Sequence, residues 1–526
     1  MHWWQSGVIY QVYPRSFQDT DGDGVGDLKG IADRLPYLAE LGVDAIWLSP
    51  VFVSPMADFG YDISDHTGID PLFGTLDDFD ALVERAHALG LKVILDFVPN
   101  HTSNRHPWFV ESRVSRQSAK RDWYIWRNGA PQGGPPNNWL SEFGGSAWEY
   151  DAASDQYYYH AFLREQPDLT WRNPQVRSAM HDVMRFWLRR GVDGFRVDVI
   201  WHLMKDADFR DNPPNPDWRD GEPAYKSLLP LYSTDRPEVH EVIRELRAVL
   251  DEYPDRVLIG EIYLPVEKLA AYYGDKLDGA HLPFNFSLIE TPWQAGAVAS
   301  LIERYEAALP SGAWPNWVLG NHDRPRLASR VGPEQARVAA MLLLTLRGTP
   351  TLYYGDEIGM AQAVIAPGAV RDPWGLNVPG QGRDGCRTPM PWDGSAHAGF
   401  SAAEPWLPVA ADSPITSVES SNADPGSLLN FYRRLLALRR CHSALTEGAC
   451  RPLAQQGDVL AFERPAAAER LLLVLNFGGN IENYLIDSDG YMGTVLLSTL
   501  PGRDGEVVGG TLVLRPHEGL IILLDS

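Results

Sequence analysis

Cysteine is nearly absent from this chain. Three residues in 526, Cys386, Cys441 and Cys450, cannot staple a protein of this size, so a disulfide framework is excluded and a reducing cytoplasm is the simplest setting. Basic charge is also short, with 46 Lys and Arg against 69 Asp and Glu and a formal net charge of -23. A nucleic acid or an anionic membrane would need a clustered basic surface, so neither is expected as a partner, and a neutral small molecule suits the balance better. No stretch of about 18 apolar residues occurs, and the opening MHWWQSGVIYQVYP lacks a basic segment followed by a long apolar one. A soluble protein that is not exported is expected. Repeats of solenoid period are missing as well.

What is present fits a folded globular chain. Apolar residues make up 44 % and charged residues 22 %, close to ordinary usage, and 526 residues suggest two to four domains. The 18 tryptophans offer flat apolar faces that suit the C–H faces of sugars, although most are expected in the core.

Short β-branched runs recur between helical stretches: GVIYQVYP (7–14), VDAIWLSP (43–50), KVILDFVPNH (92–101), GFRVDV (194–199), VLIGEI (257–262), WVLGNHD (317–323) and TPTLYYGDE (349–357). Such runs read as parallel strands buried on both faces. Between them lie amphipathic segments such as 28–42, 75–90 and 174–191, each closing on a glycine that can cap a helix. With a further strand near GAHLPFN (279–285) the count reaches eight, which predicts an α/β protein built on a (β/α)8 TIM barrel. The barrel is expected over 1–101 and 166–445, interrupted after strand three by an inserted subdomain over 102–165 rich in Trp, Gly, Pro and Asn. A loop-rich insertion is expected near 360–400. Beyond it, period-two alternation predicts a C-terminal antiparallel β-domain over 446–526.

Most strands end in polar or ionisable residues, where the C-terminal ends of barrel strands build an active site. GFRVDV, GEI and GNHD place Asp198, Glu261 and Asp323 at the ends of three strands, so three carboxylates converge on one mouth. Glycosidic chemistry needs one carboxylate ionised to attack the anomeric carbon and one protonated to serve the leaving oxygen. The bland alternative, that each acid pairs with an arginine or caps a helix, is reasonable for any one of them but not for all three at once.

DFVPNH, GFRVDV, GEIY and GNHD, together with GYDISDH, QPDLTWRNP and RTPMPW, resemble the motifs of the α-amylase superfamily of glycoside hydrolases, and within it the bacterial α-glucosidase and oligo-1,6-glucosidase group. The resemblance runs over essentially the whole chain. It implies a retaining, exo-acting α-glucosidase with Asp198 as nucleophile, Glu261 as acid/base and Asp323 as the carboxylate that grips and distorts the sugar. It further implies that Arg196 holds Asp198 ionised and that His101 and His322 hydrogen-bond sugar hydroxyls beside the bond being cut. Neither histidine lies in a close cluster of zinc spacing, which sets zinc ligation aside. Tyr61 and Asp62 match the stacking aromatic and the carboxylate that closes the pocket, with Asp62 paired to Arg383 or Arg387. Phe143 and Phe162, which would otherwise read as core, match pocket aromatics. Val199 resembles members that accept α-1,6 bonds, while Trp201 replaces a small polar residue common there, so linkage stays open.

DTDGDGVGD (19–27) alternates carboxylates at Asp19, Asp21, Asp23 and Asp27 around the Val25 carbonyl, a pattern that wraps oxygen ligands around a hard cation. The twelfth residue from Asp19 is Gly30, not Glu, so this is no EF-hand, and a solvated acidic turn is the bland alternative. The resemblance implies one structural Ca²⁺ or Mg²⁺ here, no organic cofactor, α-glucoside substrates as partners, and a monomer or homodimer. Two other functions compete. A transglucosylase or isomerase, such as a trehalose synthase or sucrose isomerase, would use the same residues. A non-catalytic barrel, as in accessory subunits of amino-acid transporters, would have lost the acids, and all three are here.

Overall fold

The computed structural model describes residues 1–410, 416–486 and 492–525; parts of the expected barrel and C-terminal domain at 411–415, 487–491 and 526 lie outside the described residues. Eight parallel strands carry the molecule: β1 (Ile9–Val12), β2 (Ala45–Leu48), β3 (Lys92–Phe97), β4 (Gly194–Val197), β5 (Val257–Ile262), β6 (Leu282–Asn285), β7 (Asn316–Val318) and β8 (Thr349–Tyr353). Each follows from a run that is apolar on both faces, and apart from half-buried Lys92 every residue in them is buried. Neighbours in sequence are neighbours in space, in the order β6-β5-β4-β3-β2-β1-β8-β7, and β6 packs against β7. The sheet is thus a TIM barrel, and β6, read from GAHLPFN, takes its place beside Glu261, which pairs with Phe284.

Helices alternate with the strands. α1 (Leu28–Leu41), α2 (Leu76–Ala88), α3 (Pro174–Arg189), α4 (Val239–Leu250), α5 (Val266–Leu269), α6 (Ala295–Ala308), α7 (Ala336–Thr345) and α8 (Leu428–Cys441) follow β1 to β8 in turn. Their starts are written locally. Asp27 accepts from Gly30 N at the head of α1, Thr75 and Asp78 form a reciprocal capping box on α2, and Asn173 with Pro174 at the first position opens α3. Only α5 shrinks to a single turn, continued by a 3₁₀ turn over Ala270–Tyr273.

Between β3 and α3 the chain leaves the barrel to form a helix, Pro107–Val114, and a three-stranded antiparallel sheet of Trp126–Arg127, Gln156–Tyr159 and Trp148–Asp151. Phe109 stacks on Trp126 at 5.7 Å and meets Tyr158 edge-on at 5.1 Å, so the aromatic richness of this stretch is largely its own core. The insertion after β8 folds as short helical turns and loops and brings Trp374 and Arg383 back to the barrel mouth. Behind α8 the pattern changes to an antiparallel sheet whose central strands are Val459–Pro465, Arg470–Asn476, Gly519–Leu524 and Met492–Ser498. Among the described residues no helix is long and apolar enough to cross a membrane.

Candidate active site

Three strand ends deliver the carboxylates. Glu261 lies within β5, Asp198 follows β4 directly, and Asp323 follows β7 in the turn Asn321–His322–Asp323. That turn needs the glycine before it, because a Cβ on Gly320 would stand 2.3 Å from Asp356 Oδ2. Beyond Asp198 the backbone is forced: Val199, a β-branched residue, takes φ 37° and ψ 47°, a left-handed conformation that costs on the order of 1–3 kcal/mol. What holds it there is the site itself, since Val199 N donates to Glu261 Oε2 at 2.9 Å and Asp198 N donates to Phe97 O at 2.8 Å. The kink turns the chain so that the carboxyl groups of Asp198 and Glu261 face a common space.

One cation serves three acids. Arg196 is fully buried, with Nη1 at 2.7 Å from both Asp96 Oδ1 and Asp198 Oδ1, and Nη2 at 2.7 Å from Glu261 Oε2. Burial pushes Asp198 and Glu261 up from the usual carboxylate range, Arg196 opposes it, and neighbouring carboxylates add to the rise. The two groups therefore titrate as a pair that keeps one proton longer than a solvated carboxylate would. Asp323 goes the other way. Burial alone would raise it, but His322 and two guanidiniums outweigh burial and hold it below its ordinary value; Arg387 Nη2 stands 2.7 Å and Arg383 Nη1 3.2 Å from its Oδ1. The site thus holds a proton-retaining pair beside a firmly ionised third acid.

These groups open on a cavity of about 460 Å³, within the roughly 300–1,000 Å³ usual for small-ligand sites. Tyr61, His101, Phe143, Phe162 and Arg383 line it with the three acids. Tyr61 gives its hydroxyl to Asp96 Oδ2 at 3.0 Å and stacks on His322 at 5.5 Å. His101 lies 3.1 Å from Tyr61 O through Nε2, and burial pushes it down to about 4, so its imidazole is neutral. Phe143 stacks on Trp374 at 5.3 Å and meets Phe162 edge-on at 6.0 Å, making an aromatic wall.

Three expected residues, Asp62, His322 and Arg387, sit elsewhere than the sequence suggested, or do other work. The carboxylate opposite the arginine is Asp58, not Asp62: Arg383 Nη2 donates to Asp58 Oδ1 at 2.7 Å. Asp62 is fully buried and accepts from Ala57 N, Asp58 N and Ser54 Oγ, each at 2.9 Å, so it caps the turn that presents Asp58 and makes no ion pair with either arginine. His322 is not part of the cavity lining; its nitrogens meet Gln11 Nε2 at 2.7 Å and Tyr61 OH at 2.8 Å. Arg387 pairs with Asp323 instead of Asp62 and takes no part in the lining; Arg196, also outside the lining, contacts Asp198 as expected. Asp58, Gln166 and Trp374 line the cavity without having been expected there, Gln166 Nε2 lying 3.3 Å from Asp58 Oδ2 and 3.2 Å from His101 Nε2. The first carried a signal, an acid three residues before Tyr61, while the others depend on loops that meet only in the fold.

At the start of α1 the acidic loop folds around itself. Carboxylate oxygens of Asp19, Asp21 and Asp27 lie within 4.8 Å of one another, the one group of such spacing among the described residues, and neither His101 nor His322 belongs to it. Asp23 Oδ1 accepts from Val25 N at 2.8 Å, which leaves it turned into the loop, and Asp27 also caps α1. Among the described residues none of the four acids has an ion-pair partner, and burial followed by repulsion from Asp23 raises Asp21. The Val25 carbonyl accepts no hydrogen bond among the described residues. The oxygens of Asp19, Asp21 and Asp27, with unbalanced negative charge, make a donor set that fits a hard divalent cation, and Asp23 and the Val25 carbonyl lie in the same loop.

Residues 11–448 match the alpha-amylase catalytic domain. A probable alpha-glucosidase of Rhizobium meliloti is 45 % identical over 90 % of this chain and 89 % of its own, and an oligo-1,6-glucosidase of Heyndrickxia coagulans is 38 % identical over the full length of both. Among solved structures, the alpha-glucosyl transfer enzyme XgtA superposes with a TM-score of 0.95 at 41 % identity, covering 100 % of both chains. The trehalulose synthase MutB from Pseudomonas mesoacidophila MX-45 superposes at 0.92 with 33 % identity, covering 99 % of each.

Proposed function

The chain belongs to the alpha-amylase catalytic-domain family and is a glycoside hydrolase with α-glucosidase relatives, and from that premise we propose that it removes terminal non-reducing α-linked glucose by double displacement. The observation that carries the reading is the sharing of Arg196 between Asp198 and Glu261 on the floor of a cavity whose wall includes the Asp58–Arg383 pair. Asp198 attacks the anomeric carbon as its carboxylate while Glu261 gives its proton to the glycosidic oxygen, so the leaving sugar departs neutral and glucose stays as an ester on Asp198. Glu261, now ionised, takes a proton from water, which attacks the same carbon and frees Asp198. Asp323, kept ionised by Arg383 and Arg387, anchors hydroxyls and favours the positive charge that builds on the ring. Neutral His101 supplies a hydrogen bond without adding a cation that would oppose that charge. Closure by Asp58 and Arg383 favours a chain end over a chain interior.

Two inversions return the starting configuration. Proton NMR of the first minutes of hydrolysis should therefore show α-glucose before mutarotation; β-glucose appearing first would overturn the mechanism. A second reading, transfer of glucose to another sugar, is favoured by the aromatic surface that continues past Glu261 through Trp201, Tyr225 and Tyr263. On maltose and sucrose, isomeric disaccharides with little free glucose would make transfer the main activity.

We further propose that the loop of Asp19 to Asp27 holds one Ca²⁺ or Mg²⁺ as a structural ion. It would tie the β1–α1 connection to the insertion after β8, where Asp19 already accepts from Ser401 Oγ and Phe400 O accepts from Asp19 N. Chelation should lower the melting midpoint by a few degrees, with recovery on adding either ion and no response in Asp21→Asn. Identical melting with and without chelator would remove the ion from the account.

A further inference from the structure

His202 stands in the cavity wall in an unusual condition. It is 3 % exposed, it lines the same space as the three acids, and both of its ring nitrogens are buried with no hydrogen bond. A structural histidine buried this deeply is ordinarily bonded through at least one nitrogen. The ring does not lack fixation: Phe162 lies 5.4 Å away and Trp201 meets it edge-on at 4.8 Å. Nearby is one acid, Glu142 from the inserted stretch, whose Oε1 is 3.3 Å from His202 Nε2 without bonding alignment and whose side chain is 30 % exposed. Glu142 lines the cavity too. A rigidly held, unbonded imidazole beside a partly open carboxylate is a matched donor and acceptor pair waiting for a third group.

The side of the cavity is set by its neighbours. Trp201 packs against Tyr263 at 5.6 Å, and Tyr263 follows the acid Glu261 by two positions. The Asp58–Arg383 pair closes the donor end. A general acid protonates the leaving oxygen, so its side is where the leaving group departs and where an acceptor enters. We propose that His202 and Glu142 bind a hydroxyl of the leaving or accepting sugar, which makes them determinants of preference for sugar over apolar leaving groups; this rests on the α-glucosidase reading above. A sugar hydroxyl both donates and accepts, so it can donate a hydrogen bond to the Glu142 carboxylate and accept one from the imidazole N–H, while Trp201 offers an apolar edge to the ring. An aryl aglycone without polar substituents, such as phenyl, can do neither with these two groups.

The experiment compares kcat/KM for a disaccharide, maltose or isomaltose as the wild type prefers, with kcat/KM for an aryl α-glucoside. His202→Phe keeps an aromatic ring between Phe162 and Trp201 and removes both nitrogens. It is expected to lower the disaccharide-to-aryl ratio about tenfold, the scale of removing one hydrogen bond from a buried site. Glu142→Gln should shift the ratio the same way, and His202→Asn, which keeps a hydrogen-bonding group, should restore part of it. Equal losses on both substrates, or an unchanged ratio in all three variants, would overturn the acceptor site. A wild type that cleaves neither substrate would overturn the α-glucosidase reading itself.

Discussion

Asp198→Asn is expected to lower turnover by roughly 10⁴-fold or more on every α-glucoside while leaving the fold intact. The amide oxygen is too weak a nucleophile to form the glycosyl ester, and removing the covalent step leaves only binding and proton donation. The fold should tolerate the change because Arg196 keeps its contacts with Asp96 and Glu261, and because Asn keeps the shape that Val199 and Phe97 pack around. The measurement is steady-state turnover with a melting curve on the same preparation. A second signature comes from rapid acid quenching and intact-protein mass spectrometry, which should find protein heavier by one glucosyl unit in the wild type and none in the variant. Turnover within a factor of ten of the wild type would refute the assignment.

Arg196→Met is expected to damage stability as much as activity. Its guanidinium is the partner of Asp96, Asp198 and Glu261 together, and all four side chains are nearly or fully buried. Breaking a buried pair by removing one member typically costs about 3–5 kcal/mol, because the remaining charge has neither solvent nor partner. Three acids left without their cation respond by holding protons more tightly than in the unfolded chain. A group whose folded pKa is raised contributes stability below its unfolded value and loses it as pH rises through the folded one. The gap in melting midpoint between variant and wild type should therefore narrow as pH falls from 8 toward the carboxylate range, and widen as it rises. A gap that is absent, or that grows on acidification, would mean the three carboxylates do not share this charge. Activity should collapse at every pH, since neither the ionised nucleophile nor the aligned acid survives.

The contrast between these residues marks what could be read before folding. GFRVDV announces a buried strand and an acid at its end, because period, burial and strand termination are local properties of a few consecutive residues. Strand end by strand end, the same local pattern gave the convergence of Asp198, Glu261 and Asp323. It did not give the sharing of Arg196, since Asp96 lies on β3 and Glu261 on β5, and their distance to one guanidinium depends on the order in which the barrel places its strands. Nor could the motif ADFGYDI say which acid meets Arg383. Asp58 and Asp62 are four positions apart, and a hairpin of Phe52–Val53 with Asp65–Ile69 presents one to the cavity and turns the other inward onto backbone amides.

By itself, then, the sequence determined the elements of this protein and the acids at its strand ends: eight strands buried on both faces, capped helices, three carboxylates, and an acidic loop before α1. The tertiary structure alone decided the partnerships, namely Asp58 with Arg383, three acids on Arg196, and Glu142 beside His202 across the boundary between the inserted stretch and the barrel. The physical reason is range. Patterning acts over the few residues of a turn or strand, whereas the energy of a charge pair or an unbonded imidazole depends on distances that exist only after segments remote in the chain have closed upon one another.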